Sequence, residues 1–168
     1  MIPIRIGIIT ISDRSSHGER LDESGPALVS AVSQRGWQVI RTEILPDELE
    51  QLVKTLAEWA ESGDMDIILT TGGTGFSPRD VTPEATHAVI QRPTPGLSEA
   101  MRSASLRITP HAMLSRATSG IRAHTLIINL PGSPKGALEN LAVVMPIFPH
   151  AIQLLREDPS AEIGHRIV

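Results

Sequence analysis

The residues with the clearest chemical content in this chain of 168 residues are the glycines of Thr71-Gly72-Gly73-Thr74-Gly75 and the aspartate beyond them, Asp80. Three glycines in so short a stretch let a backbone take positive φ angles and approach a ligand closely. Successive N–H groups in such a turn form a nest for an anion. The run continues Phe76-Ser77-Pro78-Arg79-Asp80-Val81-Thr82-Pro83. Thr82-Pro83-Glu84 has the form of an N-cap, a proline at the first helical position and an acid in the first turn, so a helix N-terminus favourable to anions should open beside the nest. An ordinary tight turn is the plain alternative, but a glycine loop between an apolar run and a capped helix points to a phosphate-type ligand. Two familiar phosphate motifs are excluded. A P-loop needs a lysine after its glycines, and none follows here. A dinucleotide fingerprint needs a third glycine, and Gly73-Thr74-Gly75 is followed by Phe76, Ser77 and Pro78.

A carboxylate beside an anion nest is unfavourable unless a cation lies between it and the ligand. Mg²⁺ is commonly held by one or two protein carboxylates together with substrate phosphates. Asp80 is therefore either a Mg²⁺ ligand or the side chain of an Asx turn that shapes the loop. Asp47, in Leu45-Pro46-Asp47-Glu48, has a structural reading too, because Asp47-x-x-Glu50 has the form of a capping box. Its position after a strand-like segment sets it at the sheet edge expected to carry the glycine loop. Pro131-Gly132-Ser133 also follows an apolar run: Gly132 permits close approach, Ser133 either caps the next helix or meets a ligand oxygen, and Lys135 can reach a phosphate. Ser12-Asp13-Arg14 holds the equivalent place after the first strand, where Arg14 recognises an anion or forms a surface ion pair. The six histidines show no metal-ligand spacing, so a zinc site is not expected.

These loops need a scaffold that brings them together. Ile4–Ser12 is a continuous β-branched run, as in a strand buried on both faces of a parallel sheet. Asp13–Glu23 reads as a loop and Ser24–Arg35 as an amphipathic helix stopped by Gly36. Trp37–Leu45 is a second strand. Leu49, Leu52, Val53, Leu56 and Trp59 share one helical face ended by Gly63. Asp66–Thr71, Thr118–Arg122 and Thr125–Leu130 read as strands. Helices follow from Thr82, from about Leu97, and from Lys135 to about Arg156 with an interruption at Met145-Pro146. Strands alternating with helices predict an α/β fold with a largely parallel sheet covered on both faces, in one domain over residues 1–168. Ligands of such sheets bind beyond the carboxyl ends of the strands.

Composition narrows the function. Zero Cys excludes a disulfide framework, a thiolate nucleophile and a cysteine metal site. A net charge of −4 and 2% aromatic residues argue against nucleic-acid binding. No apolar run reaches the length of a membrane span, and the first residues lack the form of a signal peptide.

Across Thr70–Thr86 (TTGGTGFSPRDVTPEAT) the sequence resembles the molybdopterin-binding family of molybdenum-cofactor biosynthesis, the MogA/MoaB group, which includes the G domains of gephyrin and of the plant adenylyltransferase. Ile11–Arg14, Leu45–Glu48, Pro95–Arg102, Met113–Arg122 and Thr125–Gly136 match in the same order, so the resemblance covers almost the whole chain. It implies a three-layer αβα sandwich, commonly as a homotrimer, and Mg²⁺-dependent transfer of an adenylyl group from ATP to molybdopterin with release of pyrophosphate. It implies catalytic, Mg²⁺-organising roles for Asp47 and Asp80. It implies a substrate pocket walled by Ser12, Asp13, Thr71, Gly72, Gly73, Thr74, Gly75, Pro131, Gly132 and Ser133, with Thr82 beside the nest. A cytoplasmic enzyme handing its product to a molybdenum insertase is the expectation. A short member, without the extended tail of longer bacterial members or a fused insertase domain, is the expectation. A non-catalytic molybdopterin-binding or scaffold module of the same fold is the alternative, and a nucleotide hydrolase a third reading.

Overall fold

The computed structural model describes residues 3–159. Its centre is one six-stranded sheet, built from β1 (Arg5–Ile11), β2 (Gln38–Leu45), β3 (Ile67–Thr71), β4 (Arg92–Pro93), β5 (Ser119–Arg122) and β6 (Thr125–Leu130), in the order β2-β1-β3-β6-β5-β4. β2, β1, β3 and β6 run parallel, whereas β5 and β4 are antiparallel additions at one edge. The sheet is thus mixed, as the short β5–β6 connection requires: a tight turn, with Ala123 at φ 50°, joins only antiparallel neighbours.

Side-chain alternation divides the apolar residues between two faces. Ile6, Ile8, Ile67, Leu69, Leu126 and Ile128 point to one side. There they meet Leu28 and Val32 of α2 (Ser24–Ser33), Met101 of α5 (Pro95–Leu106), Leu141 of α6 (Pro134–Val144) and Phe148 of α7 (Phe148–Leu155). Ile9, Ile11, Ile68 and Ile127 point to the other side, against Leu52, Leu56 and Trp59 of α3 (Leu49–Glu61) and Ala85 and Val89 of α4 (Thr82–Val89). Helices on both faces give the three-layer sandwich. Apart from Phe148 and Trp59 the core is mostly aliphatic, as the scarcity of aromatic residues dictates.

Several boundaries differ from the sequence expectation. Asp13–Glu23 is not all loop: Asp13–Ser16 forms the short helix α1, whose first turn is closed by Ser15 N–H donating to Ser12 Oγ. The two-residue β4 and the 3₁₀ turn Pro110–Leu114 carry no periodicity that a sequence could display. Residues 134–155 are, by length and a mean hydropathy of 1.3, long and apolar enough to cross a membrane, which corrects the expectation that no such run exists. A 3₁₀ turn at Met145–Ile147 divides this segment, and Ala137, Leu141, Val144, Phe148 and Ile152 bury one face of it against the sheet. It is a core element.

Candidate active site

The chain leaves β1 for β2 on one side and later returns to β3 on the other side of β1. That reversal opens a crevice at the carboxyl ends of β1 and β3, the place where open α/β sheets take ligands. Ser12-Asp13, Asp47 and Gly72–Gly75 follow β1, β2 and β3 closely, so three separate turns meet there.

The glycine loop is shaped by contacts that exclude side chains. Gly72 has φ 104°, and a Cβ on it would lie 2.1 Å from the Ile11 carbonyl oxygen. Gly73 has φ 63°, and its Cβ would lie 2.3 Å from Thr82 Oγ1 and 2.8 Å from Asp47 Oδ1. Thr82 Oγ1 donates to the Gly72 carbonyl (2.9 Å) and Thr82 N–H to that of Gly73 (3.1 Å). Thr71 Oγ1 donates to the Pro131 carbonyl (2.7 Å), and Gly72 N–H to that of Leu130 (3.2 Å), so the β3 and β6 loops are stitched together. The N–H groups of Gly73, Thr74 and Gly75 donate to no protein acceptor among the described residues. Three successive amides are thus left free for an acceptor outside the protein, which is what an anion nest requires.

Thr82 departs from its expected role. α4 begins at Thr82, with Val81 at the N-cap position and no side-chain cap. The Thr82 side chain is fully buried and committed to Gly72, so it shapes the loop. Thr71 is buried in the same way.

Asp47 is not the cap of α3 either. Glu48 occupies that position without a side-chain bond. Asp47 instead forms a reciprocal pair with Asp13: Asp13 N–H donates to Asp47 Oδ2 and Asp47 N–H to Asp13 Oδ1, both at 3.0 Å. The other oxygen, Asp47 Oδ1, is buried against the glycine loop without a hydrogen-bond donor. Burial pushes the Asp47 pKa above the ordinary aspartate value, with the Asp13 and Asp80 charges adding to it. A buried carboxylate oxygen without a donor is costly in an otherwise satisfied core, and it is well placed to bind a cation.

Asp80 does not form the Asx turn: its Oδ2 reaches back three residues to accept from Ser77 N–H at 3.0 Å, which closes the loop, and its Oδ1 makes no hydrogen bond among the described residues. Arg79 spans the outside of the crevice, donating to Asp13 Oδ2 (3.0 Å), Asp13 Oδ1 (2.9 Å) and Glu48 Oε1 (2.8 Å). Its guanidinium holds the Asp13 carboxyl below the usual range. No group of three His, Asp or Glu side chains converges as a metal cage among the described residues. Two carboxylates with a free oxygen each fit an ion whose other ligands are substrate phosphates and water, as Mg²⁺ prefers.

Beside the nest lies a cavity of about 310 Å³ lined by Thr74, Gly75, Pro131, Ser133, Arg102 and Asn140 among others. Ser133 Oγ caps α6 by accepting from Gly136 N–H (3.1 Å), and Gly132 at the rim is exposed to solvent. Lys135 pairs along its own helix with Glu139 (3.8 Å). A larger apolar groove, of about 570 Å³, is lined by Leu97, Ile121, Leu126 and Leu154 among others and contains none of the candidate residues.

Two residues escaped the sequence reading. Asn129, fully buried in β6, donates to Thr70 Oγ1 (3.0 Å) and Thr86 Oγ1 (2.9 Å) and accepts from Thr118 N–H (3.2 Å). An amide inside the apolar run TLIINL was the available signal. Arg116, which grips the glycine loop from outside, had no signal beyond its place in a segment that resembles the family.

Free amides and two under-coordinated carboxylates thus meet in a crevice at the switch point of a three-layer α/β sandwich. Residues 7–150 match the family model described as a probable molybdopterin binding domain, and the chain belongs to that family. It is 45% identical to gephyrin from Dictyostelium discoideum over 96% of this chain, spanning 24% of that longer protein. It is 42% identical to the molybdopterin adenylyltransferase of Helicobacter pylori (strain 26695), covering 92% of this chain and 89% of the relative. The crystal structure of the molybdopterin biosynthesis enzyme MoaB from Thermus thermophilus superposes with a TM-score of 0.87 at 47% identity, over 93% of this chain and 98% of that one.

Proposed function

We propose that this protein is a molybdopterin adenylyltransferase whose single domain joins ATP to molybdopterin at the crevice described above. The observation that carries the reading is the meeting of the free-amide nest with the donorless Asp47 oxygen and with Asp80. Full-length relatives with the adenylyltransferase name support it over a bare binding module.

The reaction displaces pyrophosphate from ATP. A terminal phosphate oxygen of molybdopterin attacks the α-phosphorus, a new P–O bond forms, and the bond between the α-phosphorus and the bridging oxygen breaks. The attacking oxygen is already anionic, so no strong general base is needed. What the protein must do is hold two polyanions together and oppose their repulsion. The Gly73–Gly75 amides bind phosphate oxygens. Asp47 and Asp80 would hold Mg²⁺, which would neutralise phosphate charge there. The Asp13–Asp47 pair fixes Asp47, and Arg79 fixes Asp13. Ser12, Pro131, Gly132 and Ser133 form the rim, and the adjacent cavity, poor in aromatic side chains, accepts a ring on aliphatic and backbone surface.

The resemblance adds a cytoplasmic homotrimer that passes its product to a molybdenum insertase. A stable monomer in sedimentation velocity refutes the trimer. The decisive assay incubates the protein with ATP, Mg²⁺ and molybdopterin and follows adenylyl-molybdopterin and pyrophosphate. Product formation that needs both substrates supports the transferase. Molybdopterin binding without pyrophosphate release indicates a scaffold, and ATP hydrolysis without molybdopterin indicates a hydrolase.

A further inference from the structure

We infer that Arg116 is a positioning residue that sets the shape of the glycine loop and so places the Asp80 carboxylate. The inference rests on the reading that this loop and Asp80 form the Mg²⁺- and phosphate-binding site. Arg116 lies between the 3₁₀ turn Pro110–Leu114 and β5, far from the loop in sequence. Its backbone N–H donates to the Thr74 carbonyl (2.9 Å) and Nε to that of Gly75 (2.7 Å). Nη2 donates to the Asp80 carbonyl (2.6 Å), and Nη1 bonds Glu84 in the first turn of α4. One planar guanidinium thus ties the outgoing limb of the loop to its returning limb and both to the following helix.

The loop needs such a tie. Gly72, Gly73 and Gly75 give it a large conformational freedom to lose. The bonds from Thr82 reach only its base, at Gly72 and Gly73. The bond from Ser77 N–H to Asp80 lies within the loop and cannot anchor it to the scaffold. Arg79 ties the returning limb to Asp13 and Glu48 through its own side chain, whereas Arg116 grips the loop's backbone, where its fixed fork of donors suits two carbonyls and a carboxylate at once. Arg102 of α5 continues the brace by donating to the Ala117 carbonyl (2.7 Å). With its donors given to protein oxygens, Arg116 acts on the reaction through Asp80 and the loop amides.

The test uses the full chain with Arg116→Met and Arg116→Lys, in two measurements. One is the Mg²⁺ concentration giving half-maximal pyrophosphate release; the other is the gain in ATP affinity on adding Mg²⁺, by calorimetry. Arg116→Met should need about tenfold more Mg²⁺ and lose most of the affinity gain, on the scale of one charge-assisted contact network. KM for molybdopterin should change less than about threefold while kcat falls. Arg116→Lys should recover part of both, since an ammonium reaches one carbonyl but lacks the fork. If Arg116→Met does not fold, Arg116→Lys alone decides. Wild-type Mg²⁺ dependence in the variants overturns the inference. If the wild type forms no product, the transferase reading fails by itself. Arg116 is then judged on ATP affinity: a Mg²⁺ gain reduced in the variants upholds the inference, while an equal gain, or none in the wild type, overturns it.

Discussion

Asp47 and Asp80 are the carboxylates that the crevice leaves incompletely partnered. Neither carboxylate finds the arginine partner that Asp13 and Asp66 have, and one oxygen of Asp47 is buried without a donor. Asp80→Asn keeps the shape of the group and its acceptor for Ser77 N–H. It should lower pyrophosphate release about 10²–10³-fold, the size expected when one preorganised electrostatic contact is lost, with thermal unfolding nearly unchanged. A near-normal rate would remove Asp80 from the Mg²⁺ site. Gly73→Ala should fail differently. At φ 63° with Thr82 Oγ1 and Asp47 Oδ1 in the way, it should cost about 1–3 kcal/mol of stability, read as a lower urea midpoint, together with loss of ATP binding. At this scale the glycines and both aspartates were legible, because their residue types are hard to explain by packing. Whether Asp47 caps α3 was not legible, because what draws its carboxylate away from the helix is the Asp13 backbone amide, 34 residues away in sequence.

At the scale of elements, the loop is only as good as the strands and helices beneath it. Thr70, Thr86 and Asn129 form a buried polar link between β3, α4 and β6 directly under the nest, and Thr86 Oγ1 passes on to the Thr82 carbonyl (2.9 Å). Asn129→Ala should leave the Thr118 N–H and two hydroxyls short of partners, costing about 2–4 kcal/mol. It should also lower ATP affinity, because α4 and Thr82 lose their reference to the sheet. Equal affinity after correction for the unfolded fraction would make this network purely structural. Of the parallel strands, β1, β3 and β6 were readable as apolar runs, whereas β2 mixes Gln38, Arg41 and Glu43 with its apolar residues and lies at the exposed edge. β4 and the antiparallel edge were not readable, since two residues carry no period and Ser119–Arg122 gives no sign of strand direction. α3 shows the opposite case: Leu52, Leu56 and Trp59 on one stripe fixed both its existence and its buried face.

For the whole molecule, the same charges set the response to acid. At the end of the sheet away from the crevice, Asp66 is 3% exposed and bonded by Arg5 and Arg156, which joins the start of β1 to the residue after α7. Burial alone would raise the Asp66 pKa, but the hydrogen bonds from Arg156 and Arg5 outweigh it and hold the carboxyl below the ordinary value. Arg116 likewise holds Glu84 low. A depressed carboxyl contributes stability that is present above its unfolded pKa and is lost as pH falls through the folded value. Asp47 has the opposite sign. Its raised pKa means that the folded state takes up a proton first, so stability increases as pH falls from above its folded value toward the unfolded one near 3.8. The urea midpoint of the wild type should therefore hold or rise gently on acidification toward that value, then drop below it. Asp47→Asn should abolish the gentle rise and stabilise the protein at neutral pH. Asp66→Asn should cost about 2–4 kcal/mol at neutral pH, because two arginines lose a buried partner, and should flatten the acid drop. An acid drop as steep in Asp66→Asn as in the wild type would move the acid-sensitive brace from this end of the sheet to the crevice, where Asp13 and Glu84 are the remaining depressed carboxyls.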